Sequence, residues 1–233
     1  MIQLPLAGTG KNIAINPSKI IAVGLNYRDH IKESSALVNK PLELPSEPVL
    51  FAKTPNVLIA PGESIIIPAH IKDYNFPDER VDHECELAIV IGKKGRHISE
   101  EKAFDYVLGY TCFNDVSQRN VQRADPSGWF RGKSFDTFGP IGPVVVPHAD
   151  IGNPQALSIN CKVNGVVKQS ANTADMIFTL PVLIAYISRQ FTLEEGDIIA
   201  TGTPSGVSPI VPGDTVEVEI ERVGVLRNPV AGE

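Results

Sequence analysis

Apolar residues in this chain come in short runs rich in Val and Ile, and 19 prolines and 19 glycines cut between them. The runs are Ile20–Val23, Val49–Phe51, Ile65–Ile67, Glu84–Ile91, Val107–Phe113, Val144–Val146, Leu157–Val163, Ile198–Ala200 and Val216–Ile220. Segments of this length between Pro and Gly are long enough for strands and too short for most helices. Val163-Asn164-Gly165-Val166 predicts a tight hairpin, because Asn-Gly suits the positive φ angles of a type I′ turn; Arg222–Val225 is a weaker hairpin signal. Helices are expected at Asn26 to about Leu37, Ser99–Val107, Ser117 to about Ala124, and Thr179–Arg189. In the last, Leu180, Leu183, Ile184 and Ile187 recur at helical spacing and Pro181 fits the first turn. Strands and helices do not alternate, which argues against a doubly wound parallel sheet. The expected class is a strand-dominated α+β fold. Asn39–Pro48 and His70–Val81 read as polar, proline-bearing loops.

At 233 residues the chain fits one domain, with residues 1–18 as a short lead-in. The longest unbroken apolar runs, Leu87–Ile91 and Val182–Ile187, fall far below the roughly 20 residues of a membrane span. With 21 Lys+Arg against 27 Asp+Glu there is no basic excess, so neither a nucleic-acid partner nor a membrane is expected. MIQLPLAGTGK lacks the charged start and apolar block of a secretory signal. Cys85, Cys112 and Cys161 are odd in number and form no CxxC, which predicts buried reduced thiols and a cytoplasmic location.

Two apparent nucleotide motifs fail. Arg131-Gly132-Lys133-Ser134 has Ser127 where a phosphate loop needs glycine, and Gly8-Thr9-Gly10 lacks the later glycine. There is no Gly-x-Ser-x-Gly elbow. The chemistry gathers elsewhere. In Asp82-His83-Glu84-Cys85-Glu86-Leu87-Ala88-Ile89-Val90-Ile91, strand alternation puts Glu84 and Glu86 on one face, followed by apolar Ala88 and Val90. Two adjacent buried carboxylates repel, so one takes a proton or both meet a cation. Oxygen-only donors favour Mg²⁺, Mn²⁺ or Ca²⁺ over zinc; the alternative is an exposed strand end with two solvated glutamates. Asp115 ends the run Gly109–Asn114 and is either a helix cap or a third carboxylate, and Arg119 and Gln122 follow one helical turn apart, able to hold an anion. His30 and Glu33 at i and i+3 match a carboxylate-oriented base or an ordinary surface pair. Lys133 precedes a stiff Gly-Pro turn, and Thr201–Val207 is a glycine- and hydroxyl-rich loop whose N–H groups could face an anion.

GLNYRDHIKE, PVLFAK, DHECELAIVIGK, GYTCFNDVSQRNVQ, RGKSFDTFGPIGP, MIFTLPVLIAYIS and LEEGDIIATGTPSGV stand in this order between about Ile20 and Val207. Together they resemble the fumarylacetoacetate hydrolase family, in its short single-domain form. The resemblance implies a mixed β-sandwich roll, a homodimer, and Mg²⁺ or Mn²⁺ on Glu84, Glu86 and Asp115. Larger members add a fourth carboxylate ahead of the histidine, but no acidic residue stands between Ile20 and Arg28 here. It also implies catalytic roles for His30, Glu33 and Lys133, and substrate positioning by Arg28, Lys53, Arg119, Gln122 and Thr203, with the His30 segment as a lid. The expected reaction is hydrolysis of a C–C bond in an acylpyruvate-type 2,4-dioxo acid, giving pyruvate by way of an enolate that the metal ion stabilises. Oxaloacetate decarboxylation or tautomerisation, isomerisation of a hydroxyheptadienedioate, and a non-catalytic dicarboxylate-binding role are the alternatives.

Overall fold

The computed structural model describes residues 2–38, 43–126 and 128–233. Its largest element is a mixed sheet, in the order Lys11–Ile15, Ile2–Leu6, Gly139–Pro147, Val107–Asn114, Cys85–Ile91, Ile198–Ala200, Ile20–Gly24, Val49–Lys53, with Leu58–Ile59 added beside Gly139–Pro147. A second sheet runs Val166–Asn172, Ser158–Val163, Thr215–Ile220, Gly224–Gly232, Ile65–Ile67. The strand-dominated α+β expectation is met.

The Cys85–Ile91 strand explains both the continuity of its apolar run and the place of the carboxylates. It is buried on both faces, which removes the usual polar alternation. Cys85, Leu87, Ile89 and Ile91 point into the main core, which they share with Ile159, Cys161, Val216 and Val218 of the second sheet and with Leu183, Ile184 and Ile187 of the helix Leu180–Gln190. Ala88 and Val90 point the other way, into a smaller core with Ile20, Ala22, Phe113 and Ile198. Glu84 and Glu86 continue that second face. Glu86 is registered opposite Phe113, and the Asp115 N–H donates to the Glu84 carbonyl at 2.9 Å. Register alone therefore brings three carboxylates to one end of the second core.

Several elements differ from expectation. The presumed lead-in forms a hairpin, Ile2–Leu6 with Lys11–Ile15, which joins the large sheet in parallel beside Gly139–Pro147. Ser99–Val107 winds as a 3₁₀-helix, Glu100–Tyr106, in which Ala103 is the one buried residue; a three-residue repeat serves so narrow an apolar edge. The helix expected from Ser117 starts at Arg119, because Ser117–Gln118 pairs with Val81–Asp82 and the Gln118 side chain caps the helix by accepting the Val121 N–H. The 3₁₀-helix Ala69–Tyr74 takes up the start of His70–Val81, while Asn39–Pro48 lies partly outside the described residues. Asn164 and Gly165 both have positive φ, as the hairpin requires, and Thr215–Ile220 pairs with Gly224–Gly232 across the weaker turn. All three cysteines are free and buried. Among the described residues no helix is long and apolar enough to cross a membrane.

Candidate metal centre and active site

Glu84, Glu86 and Asp115 each offer a carboxylate oxygen to a cluster whose members lie within 4.8 Å of one another, and all three residues are buried. Their surroundings differ. Glu84 receives Lys133 Nζ at 2.7 Å on one oxygen and Arg119 Nη2 on the other. Asp115 receives Lys133 Nζ at 2.6 Å and Lys53 Nζ at 2.6 Å. Among the described residues, Glu86 accepts one hydrogen bond, from the Gly202 N–H at 2.9 Å, and is paired with no cation. The titration behaviour follows. Burial alone would raise the Glu84 carboxyl, but Arg119 and then Lys133 outweigh it and hold the group well below the carboxylate range. Burial pushes Glu86 well up, and the charges of Asp115 and Glu84 push it further. Burial opposes the charge on Lys133, yet Asp115 and Glu84 outweigh it and raise the group. On Lys53 burial wins and the shift is downward.

Glu86 is thus a buried carboxylate facing two others with no cation of its own. A divalent ion would supply the missing charge, and the all-oxygen donor set suits a hard ion. The residues fit the group.

A cavity of about 280 Å³ opens onto this cluster. Glu84, Glu86 and Lys133 form its floor, and Arg119, Gln122, His30 and Thr203 also line it. Arg119 is held from several sides: its Nε donates to Asp82 at 2.8 Å and its Nη1 to Gln122 at 3.1 Å, while Arg80 braces Asp82 at 2.7 Å. His30 is buried, and its Nδ1 lies 3.2 Å from Glu33. Both Glu33 oxygens accept the Gly206 N–H at 3.1 Å. The Thr201–Val207 loop does present N–H groups to anions, as its composition suggested, but the anions are the protein's own Glu86 and Glu33.

The structure gathers His30, Lys133, Glu84, Glu86, Arg119, Gln122 and Thr203 around one space, with Glu33 against His30 and Asp115 in the carboxylate cluster against Lys133. Arg28 and Lys53 are different. Arg28 is exposed at the start of the helix Arg28–Val38 and does not line the cavity. Lys53 ends the Val49–Lys53 strand behind Asp115, where it also reaches the Val116 carbonyl at 3.3 Å; it props a carboxylate and does not face the cavity.

Sequence reasoning missed the wall and the brace. The wall is Trp129, edge-on to Phe51 at 5.3 Å, and Trp129 rests so close to Gly24 that a Cβ there would lie 2.3 Å from the indole. Its signal was available: it is the one tryptophan of the chain, in a polar stretch. The brace is Gln169, fully buried on the second sheet. Its amide donates to Thr203 Oγ1 at 2.8 Å and to the Pro204 carbonyl at 2.7 Å, and its oxygen accepts the Cys85 N–H at 3.0 Å. Nothing in the local sequence marks it.

The family model for the fumarylacetoacetate hydrolase C-terminal domain matches residues 19–231. The chain belongs to the fumarylacetoacetate hydrolase family. A mitochondrial oxaloacetate tautomerase of Rattus norvegicus is 43% identical over 221 residues, 92% of this chain and 66% of the relative. The crystal structure of a 2-hydroxyhepta-2,4-diene-1,7-dioate isomerase from Mycobacterium marinum is 38% identical with a TM-score of 0.81, covering 97% of this chain and 82% of that one. A maleylpyruvate hydrolase from Sphingobium, solved with manganese(II) and pyruvate, is 35% identical with a TM-score of 0.77, covering 93% and 71%. Hydrolase, isomerase and tautomerase activities thus all occur among fumarylacetoacetate hydrolase family enzymes similar to this chain.

Proposed function

We propose that this chain is a divalent-cation-dependent enzyme that forms an enolate from a 2-oxo acid, and that its reaction is C–C hydrolysis of an acylpyruvate. The observation that carries the hydrolytic reading is buried His30, which lines the cavity with its Nδ1 on half-buried Glu33, a carboxylate that the Gly206 N–H fixes. Glu84, Glu86 and Asp115 would hold the cation, which would supply Lewis-acid polarisation of the keto acid. With Nδ1 turned to Glu33, His30 has Nε2 available to take a proton from water. The resulting hydroxide adds to the distal carbonyl carbon. The bond between that carbon and C3 then breaks, leaving a carboxylic acid and the enolate of pyruvate, which takes the proton back from His30. Lys133, at the floor of the cavity, balances the growing negative charge, and Arg119 and Gln122 orient the carboxylate end. The same reading takes the chain as one catalytic domain that pairs as a homodimer in the cytoplasm.

A second reading, oxaloacetate tautomerisation, is favoured by the higher identity to the tautomerase, 43% against 35% for the hydrolase. It uses His30 only to move a proton at C3. One assay separates the two. The protein is mixed with acetylpyruvate, fumarylpyruvate and oxaloacetate, with Mg²⁺ and then with EDTA, and pyruvate is measured. Mg²⁺-dependent loss of an acylpyruvate's absorbance with equimolar pyruvate supports hydrolysis. An absorbance change with oxaloacetate and no pyruvate means tautomerisation. Turnover unaffected by EDTA rejects both.

A further inference from the structure

The cations around the floor of the cavity are all committed. Lys133 bridges Glu84 and Asp115, Arg119 spans Asp82 and Glu84, and Lys53 lies against Asp115. Arg123 is the exception. It lines the same cavity, is exposed, and among the described residues makes neither a hydrogen bond nor an ion pair. We infer that Arg123 is a second anion subsite at the mouth of the cavity, the residue by which this chain selects 2-oxo acids with a carboxylate at the far end over those with an alkyl end. The inference rests on the function proposed above and narrows it.

Three features support the assignment. The first is direction. Arg119 and Arg123 are four residues apart on the helix Arg119–Ala124, so they share a face. Arg119 touches Glu84 at the floor; Arg123 stands one turn, about 5.4 Å, further along. The second is anchoring. A Cβ on Gly132 would lie 2.6 Å from the Gln122 nitrogen, so this helix packs backbone-close on the segment that carries Lys133. The spacing between the floor and Arg123 is therefore built into two packed elements. The third is the apolar wall. Leu25, Phe51, Trp129 and Val207 line the same cavity and offer an anion nothing. A keto acid seated at the floor lays its carbon chain on this wall and brings its far end to Arg123.

Charge balance points the same way. Around the site, Glu33, Asp82, Glu84, Glu86 and Asp115 are matched in number by Arg80, Lys53, Arg119, Lys133 and Arg123. A divalent cation then leaves the site positive, and a dianion compensates it better than a monoanion. A guanidinium pairs with a carboxylate through two parallel hydrogen bonds, the geometry a terminal carboxylate offers. Since Arg123 is exposed, the attraction is open to screening by salt.

Calorimetry with two inert acids of equal chain length tests this. The Mg²⁺-loaded protein is titrated with 2-oxoglutarate, which has a terminal carboxylate, and with 2-oxopentanoate, which has a methyl there. Wild type is expected to bind 2-oxoglutarate about tenfold more tightly at low ionic strength. The difference should vanish in Arg123→Gln, persist in part in Arg123→Lys, and shrink with added salt in wild type. Equal binding of the two acids by wild type, or a difference that survives Arg123→Gln, overturns the subsite while the proposed function stands. Binding of neither acid overturns the proposed function and the subsite with it.

Discussion

Glu84 and Glu86 lie two residues apart on one strand face, and their neighbours give them opposite energetics. Glu84 has Arg119 and Lys133; removing it leaves both cations buried with a partner missing. Glu84→Ala is expected to destabilise the fold by about 3–5 kcal/mol, the usual cost of breaking a buried ion pair from one side. Glu86 touches only a backbone N–H, and the two like charges nearby outweigh the attraction of Lys133. Glu86→Gln keeps the hydrogen bond and loses the repulsion. It is expected to stabilise the ion-free protein at neutral pH by on the order of 1 kcal/mol, measured by urea unfolding in EDTA. The same residue sets a pH dependence. The folded-state pKa of Glu86 is raised, so its contribution to ion-free stability is complete below the ordinary carboxylate range and is lost as pH climbs toward the raised value. In Glu86→Gln that fall with pH should flatten. A Glu86→Gln protein less stable than wild type at neutral pH would contradict this picture of the cluster.

At the scale of elements, the working unit is the loop after the Ile198–Ala200 strand. Gly202 holds Glu86, Gly206 holds Glu33, and Gln169 holds the loop between them to the second sheet. Gly206 has a φ of +97°, and a Cβ there would stand 2.0 Å from the Lys168 carbonyl oxygen. Gly206→Ala must therefore push the loop off the second sheet, and with it Glu33 and His30. The expected result is a fall in kcat of about 100-fold, the scale of a catalytic group displaced by about an ångström. Cation affinity should change little, since Glu86 is gripped separately by Gly202. An equal loss of turnover and cation affinity would mean that the loop acts as one rigid clamp. The glycines and hydroxyls of this loop were visible in the sequence, and so was its taste for anions. Which anions it faces was not, because that depends on a helix some 170 positions away meeting the loop across the cavity.

For the whole molecule, the sequence reveals what depends on local pattern and hides what depends on sheet order. The strands Ile65–Ile67 and Ile198–Ala200 stand where their apolar runs end, and Glu84 and Glu86 share a face because strands alternate. The first hairpin escaped notice because Ile2–Leu6 contains Pro5 and Lys11–Ile15 is half exposed, so neither reads as a buried run. Lys53 looked like a cavity residue until the large sheet set its strand beside Ile20–Gly24, with Lys53 opposite Ile20 and its ammonium under Asp115. Ile198–Ala200 pairs in parallel with Ile20–Gly24 across most of the chain, a match no local signal encodes. All of these placements converge on one cluster of carboxylates, and a cation there is the central claim. The most direct measurement is a titration of chelator-stripped protein with Mn²⁺, following free Mn²⁺ by its electron paramagnetic resonance signal. Wild type should take up one Mn²⁺ per chain, more tightly as pH rises because Glu86 must give up its proton, and Glu86→Gln should take up none while keeping its circular dichroism spectrum. Uptake by folded Glu86→Gln that equals wild type would contradict the account.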